Sequence, residues 1–194
     1  GFDSKTFNAD VHNVAPTASF SNDGPVNEGS DFHLMLTSPS DPSGADTSAG
    51  FQYAFDCGSG YGAFGASPSA TCSTTDNGSR SVKGKIMDKD GGVSEYTGSV
   101  TINNVPPAVS APADQSANEG ASTSFALGSF ADPGADSPWS VDVDWGDGSA
   151  HTTFSKTATG SLGSQSHTYA DNGTYTVKVK VTDKDGGYGS ATFK

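Results

Sequence analysis

The sequence is short of glutamate and of basic residues. Its 194 residues include only three glutamates against 19 aspartates, and only ten lysines and arginines in total. Glutamate favours helix interiors, whereas aspartate favours caps, turns and oxygen-rich metal sites, so this imbalance predicts a turn-rich β protein. The net charge of −12 makes nucleic acid and anionic membrane surfaces poor partners, because both are themselves negatively charged.

Long apolar runs and cysteines are also scarce. No apolar run exceeds about five residues, far short of the roughly 20 that a membrane-spanning helix needs, so we expect no membrane insertion. The two cysteines, Cys57 and Cys72, have neither the spacing of a metal site nor that of a redox motif.

One internal repeat runs through the chain. Asn27-Glu28-Gly29 recurs as Asn118-Glu119-Gly120, an offset of 91, and DKDGG at 88–92 recurs at 183–187, an offset of 95. At the offset of 91, residues 1–14 match residues 92–105. We therefore predict the last strand and linker of a preceding repeat at 1–14, a first domain at 15–104 and a second at 105–194. We expect a monomer whose neighbouring repeats lie in the same chain.

Apolar residues alternate with polar ones in several segments, which is the pattern of half-buried strands. Val177, Val179 and Val181 show it, and no helical period of useful length is present. Both tryptophans, Trp139 and Trp145, share the parity of the valines between them and are expected to face the core. With turn sequences such as DNG, DGS and DGG, the pattern predicts an all-β chain of two tandem immunoglobulin-like β-sandwiches, with about seven strands each.

The second copy resembles a PKD (polycystic kidney disease) domain. It carries the family's motifs as VDWGDGS at 143–149, HTY at 167–169 and GTYTVKVKVTD at 173–183. The first copy is a divergent relative, with Phe55 in place of the tryptophan. The resemblance implies immunoglobulin-like sandwiches in a bacterial or archaeal extracellular multidomain protein, used as a spacer, an adhesion module or an accessory to a secreted hydrolase. Some bacterial relatives bind calcium.

The two cysteines replace a polar pair of the second copy. Under the repeat alignment Cys57 falls on Asp147 and Cys72 falls on His167. We expect the two positions to touch in both copies, through a disulfide in the first and a hydrogen bond in the second; the alternative is two free thiols. A disulfide indicates a secreted or cell-surface location. Because the first copy replaces both Asp147 and His167, the pair is interpreted as structural, and we predict no catalytic residues and no enzyme activity.

Acidic loops are predicted to converge at the ends of the sandwiches. Clustered carboxylates repel one another unless a cation lies among them, and calcium takes six to eight oxygen ligands. No organic cofactor is expected. The predicted calcium ligands are Asp41, Asp46, Asp88, Asp90, Glu28, Asn103, Asn104, Asp132, Asp136, Asp183 and Asp185. The alternative is that Asp-Pro and DKDGG are ordinary turns without a cation.

Two functional hypotheses follow from these features. The preferred one is a non-catalytic extracellular spacer or adhesion segment that calcium stiffens at the domain junctions. The alternative is a carbohydrate- or matrix-binding accessory module of a secreted hydrolase, with a polysaccharide or an extracellular matrix protein as its partner. That alternative needs exposed aromatic residues, for which Tyr61 and Phe64 are the candidates. The favoured interpretation of their glycine-rich loop, however, is a hairpin tip folded onto its own sheet.

Overall fold

Strands form wherever apolar and polar residues alternate between turn sequences, in a computed structural model that describes residues 2–194. Gly1, the first residue of the strand predicted at the start of the chain, lies outside the described residues. Residues 2–16 form no helix or strand. A strand needs a neighbouring strand to accept and donate its backbone hydrogen bonds, and no strand of residues 17–194 pairs with residues 2–16. The predicted strand is therefore not formed. Its assignment to a preceding repeat stays a prediction.

The chain divides into two compact units. The first comprises residues up to Val26, Asp31–Ser73 and Ser79–Thr101. The second comprises Asn27–Ser30, Thr74–Gly78 and Ile102–Lys194. The second unit thus includes two short segments, Asn27–Ser30 and Thr74–Gly78, that the sequence repeat assigns to the first copy.

The first copy of the repeat contains seven strands and one short helix. These are β1 (Thr17–Asn22), β2 (Val26–Asn27), β3 (Phe32–Ser40), α1 (Gly44–Ala49), β4 (Gln52–Asp56), β5 (Ser69–Cys72), β6 (Gly78–Met87) and β7 (Val93–Asn103). They form two sheets, with the orders β1-β3-β5 and β2-β7-β6-β4. Alternate residues of each sheet are buried, among them Leu34 on β3 and Ile86 on β6. This is the sandwich that the alternation predicts.

Helix α1 is the element of the first copy that the sequence pattern did not predict. Six residues are too few to show a helical period, and the signal that marks them is a cap. Ser43 Oγ accepts a hydrogen bond from the amide of Asp46 at 3.3 Å, the usual role of an N-cap serine. Within residues 2–194, no helix has the length and apolar character that a membrane span requires.

The second copy contains nine strands rather than the predicted seven or so. They are β8 (Ala108–Ser110), β9 (Thr123–Ala126), β10 (Ser129–Ala131), β11 (Trp139–Asp144), β12 (Thr152–Lys156), β13 (Gly160–Ser161), β14 (Ser164–His167), β15 (Val177–Thr182) and β16 (Tyr188–Phe193). The sheet orders are β12-β11-β15-β16, β13-β10-β8 and β14-β9. The count is higher because some strands are very short; β13 has two residues and pairs only with β10.

The core of the second copy confirms the predicted parity of β11. Trp139, Val141, Val143 and Trp145 are all buried, and they pack with Val177, Val179 and Val181 of β15. Each indole nitrogen has a partner: Trp139 Nε1 donates to Asp132 Oδ2 at 2.8 Å, and Trp145 Nε1 donates to Thr152 Oγ1 at 3.0 Å. Both tryptophans are therefore core residues.

Candidate cation site

The first aspartate of each DKDGG sequence organises a tight turn. Asp88 Oδ1 accepts hydrogen bonds from the amides of Asp90 and Gly92, at 2.9 and 2.8 Å. Asp183 Oδ1 accepts the equivalent bonds, also at 2.9 and 2.8 Å. The other oxygen, Oδ2, accepts from an asparagine that precedes the copy: Asn13 for Asp88, at 3.0 Å, and Asn104 for Asp183, at 2.9 Å. Hydrogen bonds within the turn therefore satisfy Oδ1 of each aspartate, and the asparagine satisfies Oδ2.

Asp41, Asp46 and Asp88 of the first unit come together as predicted. One carboxylate oxygen from each lies within 4.8 Å of the others. Lys89 Nζ lies 2.8 Å from Asp46 Oδ1, and this lysine is the main reason why the pKa of Asp46 is lowered. Burial raises the pKa of Asp88, but hydrogen bonds from Asn13 and from the turn amides outweigh that effect and lower it overall. Groups of the protein itself thus stabilise both buried charges.

The second unit contains a larger acidic cluster. Glu28, Asp76 and Asp136 form one group, and Asp132, Asp136 and Asp183 form another, so that Asp136 belongs to both. Lys184 Nζ lies 2.7 Å from Asp76 Oδ1, 2.7 Å from Asp136 Oδ1 and 3.2 Å from Asp185 Oδ2. Of the five carboxylates in these two groups, only Asp76 and Asp136 contact this ammonium.

Glu28 and Asp136 are the most deeply buried carboxylates of this cluster, at 1% and 0% exposed. Glu28 Oε1 accepts a hydrogen bond from the amide of Val105 at 2.7 Å. Glu28 Oε2 and Asp136 Oδ2 are buried and have no hydrogen-bond partner. A buried polar atom without a partner is costly, and one that carries negative charge is costlier still. A bound cation that contacts these two oxygens would be stabilising.

The pKa values of the same two carboxyl groups are raised. Burial is the largest cause of the raised pKa of Glu28, and repulsion from Asp136 and Asp132 adds to it against the opposing hydrogen bond from Val105. Burial also raises the pKa of Asp136, although Lys184 acts in the opposite direction. The second cluster therefore differs from the first, where the pKa values of Asp46 and Asp88 are lowered.

The two unpartnered oxygens pack closely against Gly134. A Cβ atom on Gly134 would lie 2.6 Å from Glu28 Oε2 and would clash with Asp136 Oδ2. The equivalent residue of the first copy is Gly44, where a Cβ atom would meet nothing within 4 Å. A cluster of carboxylate oxygens of this kind fits a hard cation that prefers oxygen ligands, and calcium is the cation of that kind that tolerates irregular geometry.

Seven of the eleven predicted ligands fall in the three acidic groups, namely Asp41, Asp46, Asp88, Glu28, Asp132, Asp136 and Asp183. Asn104 is next to them, as a donor to Asp183. Asp90 and Asp185 instead pair with the lysine that precedes each of them. Asn103 is exposed, and its amide lies 3.5 Å from Asn27 Oδ1 rather than beside an acid.

Sequence reasoning missed three residues of these clusters: Asp76, Lys89 and Lys184. A signal was present for each. Asp76 opens a DNG sequence that recurs at Asp171, and the lysine recurs within DKDGG. The repeat alignment identified both motifs, but we considered only the aspartates of DKDGG as ligands, and neither its lysine nor the aspartate of DNG. The repeated lysine supplies part of the positive charge that clustered carboxylates require.

The predicted disulfide is present between Cys57 and Cys72, whose Cα atoms lie 5.6 Å apart. In the second copy, His167 Nε2 lies 2.8 Å from Asp147 Oδ2, as the alignment predicts. Burial raises the pKa of Asp147, but hydrogen bonds from Ser149 and His167 outweigh that effect and lower it to about 2. The His167 ring stacks on Trp145 with centroids 4.5 Å apart, so this pair is part of the core packing.

The glycine-rich loop of the first copy folds back onto its own sheet. Gly62 donates to the carbonyl of Phe55 at 3.1 Å, and Tyr53 donates to the carbonyl of Gly65 at 2.7 Å. Tyr61 is half-buried, with Lys85 Nζ 4.1 Å from its ring centroid. Phe64 is 37% exposed. Of the two aromatic residues predicted for an exposed contact loop, Phe64 alone is exposed.

Antiparallel sheets packed around a common apolar core place the second copy in the class of immunoglobulin-like β-sandwiches. Residues 104–194 match the family described as "PKD domain". This match confirms the resemblance to PKD domains drawn from the motifs of the second copy.

Solved structures resemble the chain weakly. Carbohydrate-binding modules from the β-sandwich superfamily align at 17% identity and a TM-score of 0.42, over 89% of this chain and 56% of theirs. Fibronectin(III)-like modules of Clostridium thermocellum CbhA align at 16% identity and 0.35, over 90% and 92%. The chicken interferon gamma receptor alpha chain aligns at 12% identity and 0.40, over 92% and 97%. The chain spans little more than half the length of the first of these. No curated protein matches it.

Proposed function

We propose that the chain is a non-catalytic structural segment of an extracellular protein, and that its second unit binds calcium. One observation carries this proposal. Glu28 Oε2 and Asp136 Oδ2 are buried without hydrogen-bond partners, side by side against Gly134. A cation there would convert a costly arrangement of buried charges into a stabilising one.

Calcium would be held by Glu28 and Asp136, with Asp132 and Asp183 beside them. These residues come from three separated parts of the sequence: the Asn27–Ser30 segment, the loop after β10 and the turn after β15. Binding would tie the three segments together. Without the cation, repulsion among the carboxylates would push the same segments apart, so the proposed role of calcium is to stiffen the second unit.

The disulfide supports the extracellular part of the proposal. Disulfides persist in oxidising compartments outside the cytosol, and Cys57 and Cys72 are paired. Calcium sites of extracellular modules work at about 0.1–1 mM calcium, so a site built from a few carboxylates without an EF-hand loop is adequate there.

The carbohydrate-binding alternative has weaker support. It predicts aromatic side chains exposed together on one face, because sugars stack on aromatic rings. Tyr61 is half-buried beneath Lys85, which leaves Phe64 as the exposed aromatic residue of that loop. We therefore favour the structural role.

A melting experiment with paired glycine variants tests the proposal. Thermal unfolding would be followed in EDTA and in about 1 mM calcium for the wild type, Gly134→Ala and Gly44→Ala. With a Kd of about 0.1 mM, 1 mM calcium adds about 1.4 kcal/mol, which raises the melting temperature of a domain of this size by about 6–10 °C. The wild type and Gly44→Ala should show such a rise and Gly134→Ala should not, because its methyl group would clash with Glu28 and Asp136 and displace them.

Two results would contradict the proposal. One is superimposable curves for the wild type in EDTA and in calcium. The other is an equal rise in Gly134→Ala and Gly44→Ala, which would place any calcium somewhere other than beside Glu28. Replacing calcium by magnesium provides a further control, because magnesium demands a near-ideal octahedral site and keeps several of its waters.

A further inference from the structure

Asp132 is held at both of its oxygens, and one of its partners belongs to the hydrophobic core. Asp132 Oδ1 accepts a hydrogen bond from the amide of Gly134 at 2.9 Å, within the turn that the Asp-Pro sequence begins. Asp132 Oδ2 accepts a hydrogen bond from the indole nitrogen of Trp139 at 2.8 Å. These two bonds fix the orientation of the carboxylate, because rotation about its side-chain bonds would break both.

Trp139 is itself fixed by its surroundings. It is buried at the start of strand β11, and its ring packs against that of Phe130 with the centroids 5.3 Å apart. A close-packed ring of this size cannot turn without disturbing its neighbours. The N–H of Trp139 is therefore directed at Asp132 before any cation binds.

Asp132 is one of the carboxylates that would surround the calcium ion. One oxygen from each of Asp132, Asp136 and Asp183 lies within 4.8 Å of the others. Each oxygen of a carboxylate has two lone pairs, and the hydrogen bonds described above use one lone pair on each oxygen of Asp132. One lone pair on each oxygen remains for a cation, so the two donors orient Asp132 without blocking it.

The first copy forms the same turn without an indole. Asp41, the counterpart of Asp132, accepts a hydrogen bond from the amide of Ser43 at 2.7 Å, but its Oδ2 is buried and has no hydrogen-bond partner. At either offset of the repeat, 90 or 91, the counterpart of Trp139 lies in helix α1 and is not aromatic. The turn therefore does not require the second donor in order to form.

We propose that Trp139 is a positioning residue for the calcium site, and that its N–H holds Asp132 in the orientation that binds the cation. Donors that contact a metal ligand, rather than the metal, typically contribute about 10- to 100-fold to metal affinity. They do so because the ligand is already ordered in the free protein, and binding does not have to order it. This role of Trp139 deepens the proposed calcium binding and rests on it.

The same contact makes the fluorescence of Trp139 sensitive to the cation. Indole emission depends on the charges near the ring, and a divalent cation at Asp132 would change the charge beside the N–H. Trp145, the other tryptophan, follows the opposite end of β11, about 20 Å along the strand. Its N–H donates to Thr152 Oγ1, a neutral group, at 3.0 Å. Calcium should therefore change the emission of Trp139 and not that of Trp145.

Calcium titrations of two matched variants of the complete chain test this role. Trp139→Phe and Trp145→Phe each remove one buried indole and its hydrogen bond, so both should melt earlier than the wild type in EDTA. Calcium affinity would be measured by titration calorimetry, well below the melting temperature of each variant. Trp139→Phe should raise the Kd at least about tenfold, whereas Trp145→Phe should bind calcium like the wild type.

Tryptophan emission during the same titrations provides a second readout. The emission of Trp145→Phe, which retains Trp139, should change as calcium binds, and that of Trp139→Phe should stay constant up to saturation. The first of these measurements does not depend on whether Trp139→Phe folds.

Two results would overturn the role of Trp139. One is an equal Kd in the wild type and Trp139→Phe, and the other is an emission of Trp145→Phe that saturating calcium leaves unchanged. In either case the proposed calcium site still stands if the wild type binds calcium in the calorimeter. If the wild type binds no calcium, the site and the role of Trp139 both fail.

Discussion

Lys184 Nζ lies 2.7 Å from Asp136 Oδ1, and this contact brings a positive charge to the most deeply buried aspartate of the protein. The lysine belongs to the same DKDGG turn whose first aspartate, Asp183, is part of the cluster. One turn thus contributes both a carboxylate and the ammonium that partly neutralises its neighbours.

Lys184→Met should destabilise the calcium-free protein by about 1–3 kcal/mol, because it leaves Asp136 and Asp76 without their charged partner. The same variant should show a larger calcium-induced rise in melting temperature than the wild type, because calcium then neutralises more unpaired charge. Lys89→Met, which removes the equivalent lysine of the first unit, is the matched control. A calcium response that is identical in the two variants would contradict a special role for Lys184.

Glu28→Gln and Asp136→Asn should stabilise the calcium-free protein at neutral pH and abolish its response to calcium. Burial raises the pKa of both carboxyl groups, so the folded chain binds protons that the unfolded chain has already released. Their contribution to stability is therefore favourable at low pH and is lost as the pH rises from the ordinary carboxyl values, about 4, through the raised ones.

Differential scanning calorimetry in EDTA from pH 4 upward, in steps of ~0.5 pH unit, would measure the melting temperatures of the wild type and of Glu28→Gln. The effect should appear as a difference between the two melting temperatures that grows with pH. The difference matters because other carboxylates, such as Asp46 and Asp88, have lowered pKa values and act in the opposite direction. A difference in melting temperature between the wild type and Glu28→Gln that does not change with pH would contradict a raised pKa of Glu28.

Removal of the Cys57–Cys72 disulfide should lower the stability of the first unit by about 3 kcal/mol, the loop-entropy contribution of a loop of about 15 residues. Cys57→Ala/Cys72→Ala should melt earlier than the oxidised wild type. Amide hydrogen exchange would locate the loss in the first unit and leave the strands β11 and β15 of the second protected. Equal loss of protection in both units would contradict the prediction that the disulfide stabilises the first unit specifically.

Asp147→Asn should destabilise the second unit by about 2 kcal/mol at pH 7, because the pKa of Asp147 is lowered to about 2 by Ser149 and His167 in spite of its burial. The stabilisation by a carboxylate with a lowered pKa is complete above its unfolded value, about 3.9, and disappears as the pH falls through about 2. Urea denaturation at pH 7 and pH 2 measures it. The wild type and the variant should converge at pH 2, and a constant gap would exclude ionisation as the cause.

Much of the fold could be predicted because it depends on local pattern. The parity of Trp139 and Trp145 and the alternation in β15 decide which side of a strand is apolar, and burial follows directly from that. The repeat alignment also paired residues correctly across a distance, as the Cys57–Cys72 disulfide and the Asp147–His167 contact show. Two copies of one fold contain the same residue contact at equivalent positions. When both residues of the contact are replaced together in one copy, the replacement indicates that the two positions touch.

By itself, the amino-acid sequence determined the all-β class, the two related copies, the core faces of the strands and the convergence of Asp41 with Asp88. The tertiary structure alone decided which carboxylates are buried, which oxygens have no partner and where a lysine already lies among them. The reason is that ionisation and cation binding depend on solvent exclusion and on distances of a few ångströms between residues far apart in sequence. Glu28 and Glu119 stand in identical sequence motifs, yet one is buried against Asp136 and the other is exposed.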